Sequence, residues 1–163
     1  MKQQILEFCK KNRVSTTEVA DALGKSGVLN GLKPINENFY CVGTVKTIFT
    51  ANNSNYSVHE QILTVNEGDV VIIFTHNCNE RAIIGDLIAK FLTLYKGASA
   101  VVVVGNVRDV SALKRENFPV WSEGFTPLGC YNIPAEPFPL GKEKELRDKY
   151  EGGVAVCDDG GVT

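Results

Sequence analysis

Apolar positions recur every three or four residues at the start of the chain, alternate or run together in its middle, and thin out after residue 126. Ile5, Leu6, Phe8 and Cys9 keep helical spacing, and Ser15, Thr16 and Thr17 precede Glu18 to Leu23 as a helix cap would, so two short helices are predicted first. Gly24, Gly27 and Gly31 break that period, and the aromatic and β-branched run Phe39 to Thr50 reads as a strand ending at a turn of Asn52, Asn53 and Asn55. Tyr56 to Val65 returns to helical spacing, Glu67 and Gly68 make a turn, and DVVIIFT from Asp69 to Thr75 has the unbroken apolarity of a buried strand. A helix is predicted next, with a buried stripe of Ile83, Ile84, Leu87, Ile88, Phe91, Leu92 and Tyr95 and a stop at Gly97. Ala98 to Val104 is then a second doubly buried strand, parallel to the first through a right-handed crossover. NVRDVSALKREN after Gly105 predicts one short helix, Pro119 to Pro139 short strands and turns, Lys142 to Tyr150 a helix, and Gly152 to Thr163 a hairpin whose second strand is incomplete.

This alternation is that of an α/β fold, and 163 residues with no repeat or linker suit one domain over 1–163. Hydrophobic residues at 44% and charged residues at 22% are enough to build a core, which excludes a disordered chain. A net charge of -2, with basic residues clustered only at Lys10, Lys11 and Arg13, offers no phosphate-binding face, so no nucleic acid is expected as a partner. The five cysteines, Cys9, Cys41, Cys78, Cys130 and Cys157, are widely spaced without a C-x-x-C, which points to a reducing, cytoplasmic setting. Met1 is followed by Lys2, Gln3 and Gln4, and the longest apolar run is far too short to span a bilayer, so neither an export signal nor a membrane segment is expected.

In parallel sheets, ligands collect beyond the carboxyl ends of the strands, which here are the loop after Thr75 and the turn after Val104. The first leads through His76 to Asp86 into a helix start whose backbone amides can hold a carboxylate. The second carries Arg108, a planar fork for a carboxylate or enolate oxygen, and Asp109, a hard oxygen ligand for magnesium or manganese. Asp86 can serve as a base or bind a metal-held water. Structural alternatives stand beside these roles: Arg108 and Asp109 can pair with each other, and Asp86 can cap its helix. His59 and His76 have no partners at ligand spacing and read as structural or surface residues.

Taken together, STTEVADALGKSG (Ser15 to Gly27), GDVVIIF (Gly68 to Phe74), GDLIA (Gly85 to Ala89), VVVVGNVRDV (Val101 to Val110) and PVWSEGFTP (Pro119 to Pro127) resemble the RraA-like family. That family includes 4-hydroxy-4-methyl-2-oxoglutarate aldolases, which also decarboxylate oxaloacetate, and the non-enzymatic regulator of ribonuclease E activity A. The resemblance implies a three-layer β/β/α domain of the swivelling type with a central mixed sheet, assembled as a homotrimer with sites at subunit interfaces. It implies that the amides of Gly85, Asp86 and Leu87 bind the pyruvyl carboxylate of a small 2-oxo acid, that Arg108 contacts the keto or enolate oxygen, and that Asp109 binds Mg2+ or Mn2+. The function so implied is a metal-dependent carbon-carbon lyase releasing pyruvate. The alternative is a non-catalytic regulatory trimer that binds a protein partner.

The chain departs from the family pattern in four places. Twenty-one residues separate Asp86 from Arg108, one more than the family interval, and the helix or its exit around Gly97 is where the extra residue is expected. Ser111 and Ala112 stand where relatives often have an acid, and Val104 where they often have an aspartate. Relatives usually continue beyond the position of Thr163 through a further strand and helix, so the domain reads as short at its C-terminus. Asp109, which the regulator is expected to lack, favours the enzyme.

Overall fold

Val70, Ile72 and Phe74 point to one side of their strand and Val71 and Ile73 to the other, and all five are buried. A strand covered on both faces belongs at the centre of a sheet, and that is where the computed structural model, which describes Met1–Thr163, puts it. The strands are β1 (Lys33–Pro34), β2 (Cys41–Ala51), β3 (Asp69–His76), β4 (Ala82–Ile84), β5 (Ala100–Val107), β6 (Val120–Phe125), β7 (Val154–Asp158) and β8 (Gly161–Val162). Their order across the sheet is β1-β6-β5-β3-β2-β7-β8, with β4 added beside the end of β5. β2, β3, β5 and β6 are mutually parallel, while β1, β7 and β8 pair antiparallel, so the sheet is mixed.

The sheet curls until it is nearly closed. Trp121 of β6 donates its indole N–H to the Asp158 carbonyl at the end of β7 (2.9 Å), and the Leu29 N–H donates to Val162 O of β8 (3.0 Å). The enclosed face is filled by Val45, Phe49, Val70, Ile72, Phe74, Val102, Trp121 and Cys157. The helices are α1 (Lys2–Asn12), α2 (Thr16–Ala22), α3 (Tyr56–Gln61), α4 (Asp86–Lys90), α5 (Val110–Arg115) and α6 (Leu140–Tyr150). Val58, Ile88, Leu92 and Leu113 cover the outer face over Ile48, Val71, Ile73, Val101 and Val103. Two β layers from one curled sheet and a helical layer outside give the expected β/β/α arrangement. No helix is long and apolar enough to cross a membrane.

Several sequence expectations hold in detail. Ser15 caps α2 in a reciprocal capping box with Glu18, β3 and β5 are parallel neighbours, and Asn52 and Asn53 turn with positive φ. Others need correction. Ile83 and Ile84 lie in β4, not in a helix, and the helix begins only at Asp86. Leu87 and Tyr95, assigned to the buried stripe, are 75% and 79% exposed. Pro119 to Pro139 holds one strand, β6, and irregular chain follows it. The turn expected after Val104 comes later, because β5 runs on to Val107; Gly105 lies inside it at φ 150°, where a side chain would press on Thr75, and the pairing register shifts there. After α4 the helix widens into a π-turn over Phe91–Tyr95. A π-turn takes one residue more than an α-turn, the size of the extra residue expected between Asp86 and Arg108.

Candidate functional site

β4 brings together the two segments singled out in the sequence. It runs parallel to the end of β5, pairing Ala82 with Asn106 and Ile84 with Val107, and the Arg108 N–H closes the pair on Ile84 O at 3.0 Å. Gly85, the residue after β4, therefore sits against Arg108 and Asp109, the residues after β5. The approach is so close that a Cβ on Gly85 would fall 2.1 Å from Asp109 Oδ2 and 3.1 Å from Arg108 Cγ. Asp109 takes a left-handed conformation (φ 60°), unusual for a residue other than glycine, at the start of α5. The Asp86 N–H points at Asp109 Oδ2 from 3.4 Å, and Arg108 Nε lies 3.5 Å from the same oxygen.

Gly85, Asp86, Leu87, Arg108 and Asp109 all line one hollow of about 260 Å³, together with Asn55, His59, Cys130 and Asn132. Arg108 and Asp109 also border a second hollow, of about 450 Å³, formed with Ser111, Ala112, Phe125 and Pro127, so they stand on the ridge between the two. The Arg108–Asp109 pair foreseen as a structural alternative exists, but both side chains stay accessible, at 50% and 40%. A further cleft, of about 420 Å³, lies under Pro134 to Phe138; its one guanidinium, Arg147, is taken up by Glu143 and Glu151.

Three neighbours of the site could not be foreseen from spacing. Gly129 lies beneath the Arg108 guanidinium, where a Cβ would be 2.5 Å from Nη1. Asn55 donates its amide N–H to Ile83 O (3.1 Å), while its Oδ1 is buried without a partner beside the hollow. Cys130 completes the wall. All three come from turns and irregular chain distant in sequence, where no period signals a position. His59 lines the hollow as well, whereas His76 packs edge-on against Phe138, 5.7 Å between ring centres. No three His, Cys, Asp or Glu side chains gather as a metal cluster. A divalent ion here would have Asp109 as its protein ligand and oxygen from water or substrate for the rest, a set that fits Mg2+ or Mn2+.

The RraA-like family model, described as Aldolase/RraA, matches residues 16–137. The chain is 32% identical to a Halalkalibacterium halodurans protein provisionally named 4-hydroxy-4-methyl-2-oxoglutarate aldolase, over all of this chain and 78% of that one. A Shewanella oneidensis protein of the same provisional name is 29% identical over 64% of this chain and 68% of its own length. Among solved structures, Streptomyces coelicolor RraAS2, described as an unusual member of the RNase ES inhibitor RraA family, superposes with a TM-score of 0.74 at 20% identity, covering 93% of this chain and 81% of that chain. The RNA-processing inhibitor RraA from Thermus superposes at 0.67 and 19%, covering 90% and 89%. At those identities the structural likeness concerns the fold.

Proposed function

Because the chain belongs to the Aldolase/RraA family, we propose that it is a carbon-carbon lyase that cleaves a 2-oxo acid and releases pyruvate, with Mg2+ or Mn2+ as its cofactor. One observation carries this reading: backbone amides, a guanidinium and a carboxylate meet in a single hollow small enough for a pyruvyl group. The amides of Gly85, Asp86 and Leu87 orient the substrate carboxylate at the start of the helix. Arg108, supported from below by Gly129, hydrogen-bonds the 2-oxo oxygen and holds the negative charge that gathers there as the bond breaks. Asp109 holds the cation, which when bound supplies Lewis-acid polarisation of the 2-oxo acid.

In retro-aldol cleavage, the Asp86 carboxylate takes the proton of the C4 hydroxyl, the C3–C4 bond breaks, and its electrons pass into the pyruvyl enolate. A proton returned to C3 then completes pyruvate. Loss of carbon dioxide from oxaloacetate leaves the same enolate and needs the same Arg108. The second hollow, toward Phe125 and Pro127, has room for the distal half of the substrate. The reading includes a homotrimer, supported by the exposed apolar residues Leu87, Leu94 and Tyr95 on the helix that opens at the site.

The test is pyruvate release from oxaloacetate and from 4-hydroxy-4-methyl-2-oxoglutarate with Mg2+, Mn2+ or chelator, in the wild type and in Asp109→Ala. Chelator-sensitive release that falls by about two orders of magnitude or more in the variant is expected. Release no faster than with metal alone would overturn the lyase and leave the family's regulatory scaffold as the reading.

A further inference from the structure

A pyruvyl group seated in the smaller hollow leaves the rest of a substrate to the second one, of about 450 Å³, and the chemistry of that second hollow is set largely by α5. Ser111 and Arg115 both border it, together with Thr126 and the apolar Phe125 and Pro127. Four residues apart, Ser111 and Arg115 lie on one face of the helix, a turn from each other. Helical side chains lean toward the N-terminal end of their helix, so the Arg115 side chain covers the turn that holds Ser111, on the Asp109 side of its own Cα. Along the axis Arg115 is about 7.5 Å from Val110, the residue after Asp109, a separation that a five-carbon acid with its 2-oxo end at Arg108 and Asp109 can bridge.

The Arg115 guanidinium is free to take a ligand. The acid beside it, Glu116, has Oε1 3.7 Å from Nε, outside hydrogen-bond range, and also faces Lys90 at 3.9 Å. With the Arg115 side chain 70% exposed, such a contact is weak. Arg147, in the other cleft, has a carboxylate oxygen of Glu143 at 2.7 Å. The charged groups around the second hollow are Arg108, Arg115 and Asp109, and the first turn of α5 has no acid. With Asp109 given to the cation, what enters meets positive charge and two hydroxyls. That of Thr126 accepts from the Leu128 N–H (3.3 Å) and so keeps its own proton to donate. Lys114 suits the C-terminal end of the helix as well as Arg115 does, but it does not border the hollow.

We propose that Arg115 is a specificity-determining residue that reads the distal carboxylate of a dicarboxylic 2-oxo acid, with the Ser111 hydroxyl beside it. The proposal rests on the lyase reading, since it extends the same site. The guanidinium fork offers two parallel N–H donors to the two oxygens of a carboxylate. A 2-oxo acid that ends in a methyl group leaves those donors to water and gains nothing from them. Phe125 and Pro127 give apolar surface to the carbons between the two ends. Discrimination is thus exercised at the end of the substrate remote from the bond that breaks.

The experiment measures binding of 2-oxoglutarate and of 2-oxopentanoate to the full chain by calorimetry, with Mg2+ present. The two acids share a five-carbon chain and differ in the distal carboxylate, and neither has the C4 hydroxyl that retro-aldol cleavage requires. The wild type should bind 2-oxoglutarate about tenfold or more tightly, the effect of hydrogen bonds to a charged group. Arg115→Gln should erase most of that preference. Ser111→Asp should do the same, because an acid in the first turn is well tolerated by the helix, engages Arg115 four residues on and repels the incoming carboxylate. Lys114→Gln, which removes the same charge outside the hollow, should keep the preference. Equal binding of the two acids, binding of neither, or a preference that survives Arg115→Gln overturns the assignment. So does a loss in Lys114→Gln as large as in Arg115→Gln, which would make net charge the cause. Pyruvate release from oxaloacetate is read on the same samples: a wild type that keeps the preference but releases no pyruvate sinks the lyase reading alone.

Discussion

Gly85 has no room for even a methyl group, because Asp109 Oδ2 occupies the space. Gly85→Ala is therefore expected to push the Asp109 carboxylate out of line while leaving the buried β4 and β5 strands in place. A 1 Å displacement of a catalytic group can cost about 100-fold in rate. Measured as kcat/KM for oxaloacetate, a loss of that order with an unchanged Tm is expected; full activity would mean that the close approach has no catalytic role. Of the residues at this scale, Arg108 and Asp109 were visible in the sequence as a fork and a hard oxygen donor side by side. Gly129, Asn55 and Cys130 were not. A glycine needed because a remote guanidinium lies over it has no local signature, and neither does an asparagine whose partner is the carbonyl of Ile83.

Elements were legible where their period was unbroken. β3 and β5 are uniform apolar runs and could hardly be anything but buried strands. Ile83 and Ile84 defeat the same rule. Two apolar residues ahead of an amphipathic stretch fit a helix as well as a strand, and only the pairing of β4 with β5, decided by tertiary structure, chooses between them. Another tertiary device fixes α6 to β2. Glu151, the residue after α6, accepts from the N–H and hydroxyl of Thr47 and from Lys46 Nζ, and lies 3.9 Å from Arg147. Burial pushes its carboxyl up, but these donors outweigh burial and hold it below the ordinary range. A carboxyl lowered in the folded state stabilises above its unfolded pKa, and the contribution disappears as pH falls through the folded value. Glu151→Gln should therefore cost about 1 kcal/mol at neutral pH, a figure kept small by solvent screening. Urea unfolding at descending pH should show the two proteins converging in the acid range. A gap that is constant with pH would mean that shape, and not charge, is what the substitution removed.

For the molecule as a whole, closure of the sheet depends on residues at opposite ends of the strand order. Trp121 is fully buried, packs edge-on near Phe39, and reaches Asp158 O across the seam between β6 and β7. Trp121→Phe removes the N–H and leaves both a carbonyl without its donor and a void, which together should lower stability by about 2–4 kcal/mol. The urea midpoint should fall with an unchanged slope; a change in slope would instead mean that the variant no longer closes. None of this seam was readable in advance. The sequence shows a tryptophan in an apolar stretch and a hairpin near its end, but that they meet depends on how far the sheet curls.

That closure also bears on how copies of the chain behave when crowded together. A sheet left open ends in a row of unsatisfied amides and carbonyls, on which a strand from another copy can grow. Here the strands at either end, β1 and β8, are two residues each, and Pro34 removes one donor from β1. The apolar strands β3 and β5 are paired on both sides, and β2, paired with β7 only over Cys41–Thr44, has its further edge met by the Gly153 carbonyl and by the side chains of Glu151 and Gln61. The segments with the strongest tendency to form fibrils are thus the ones with the least free edge, and the folded chain offers almost nothing on which strand-by-strand aggregation could start.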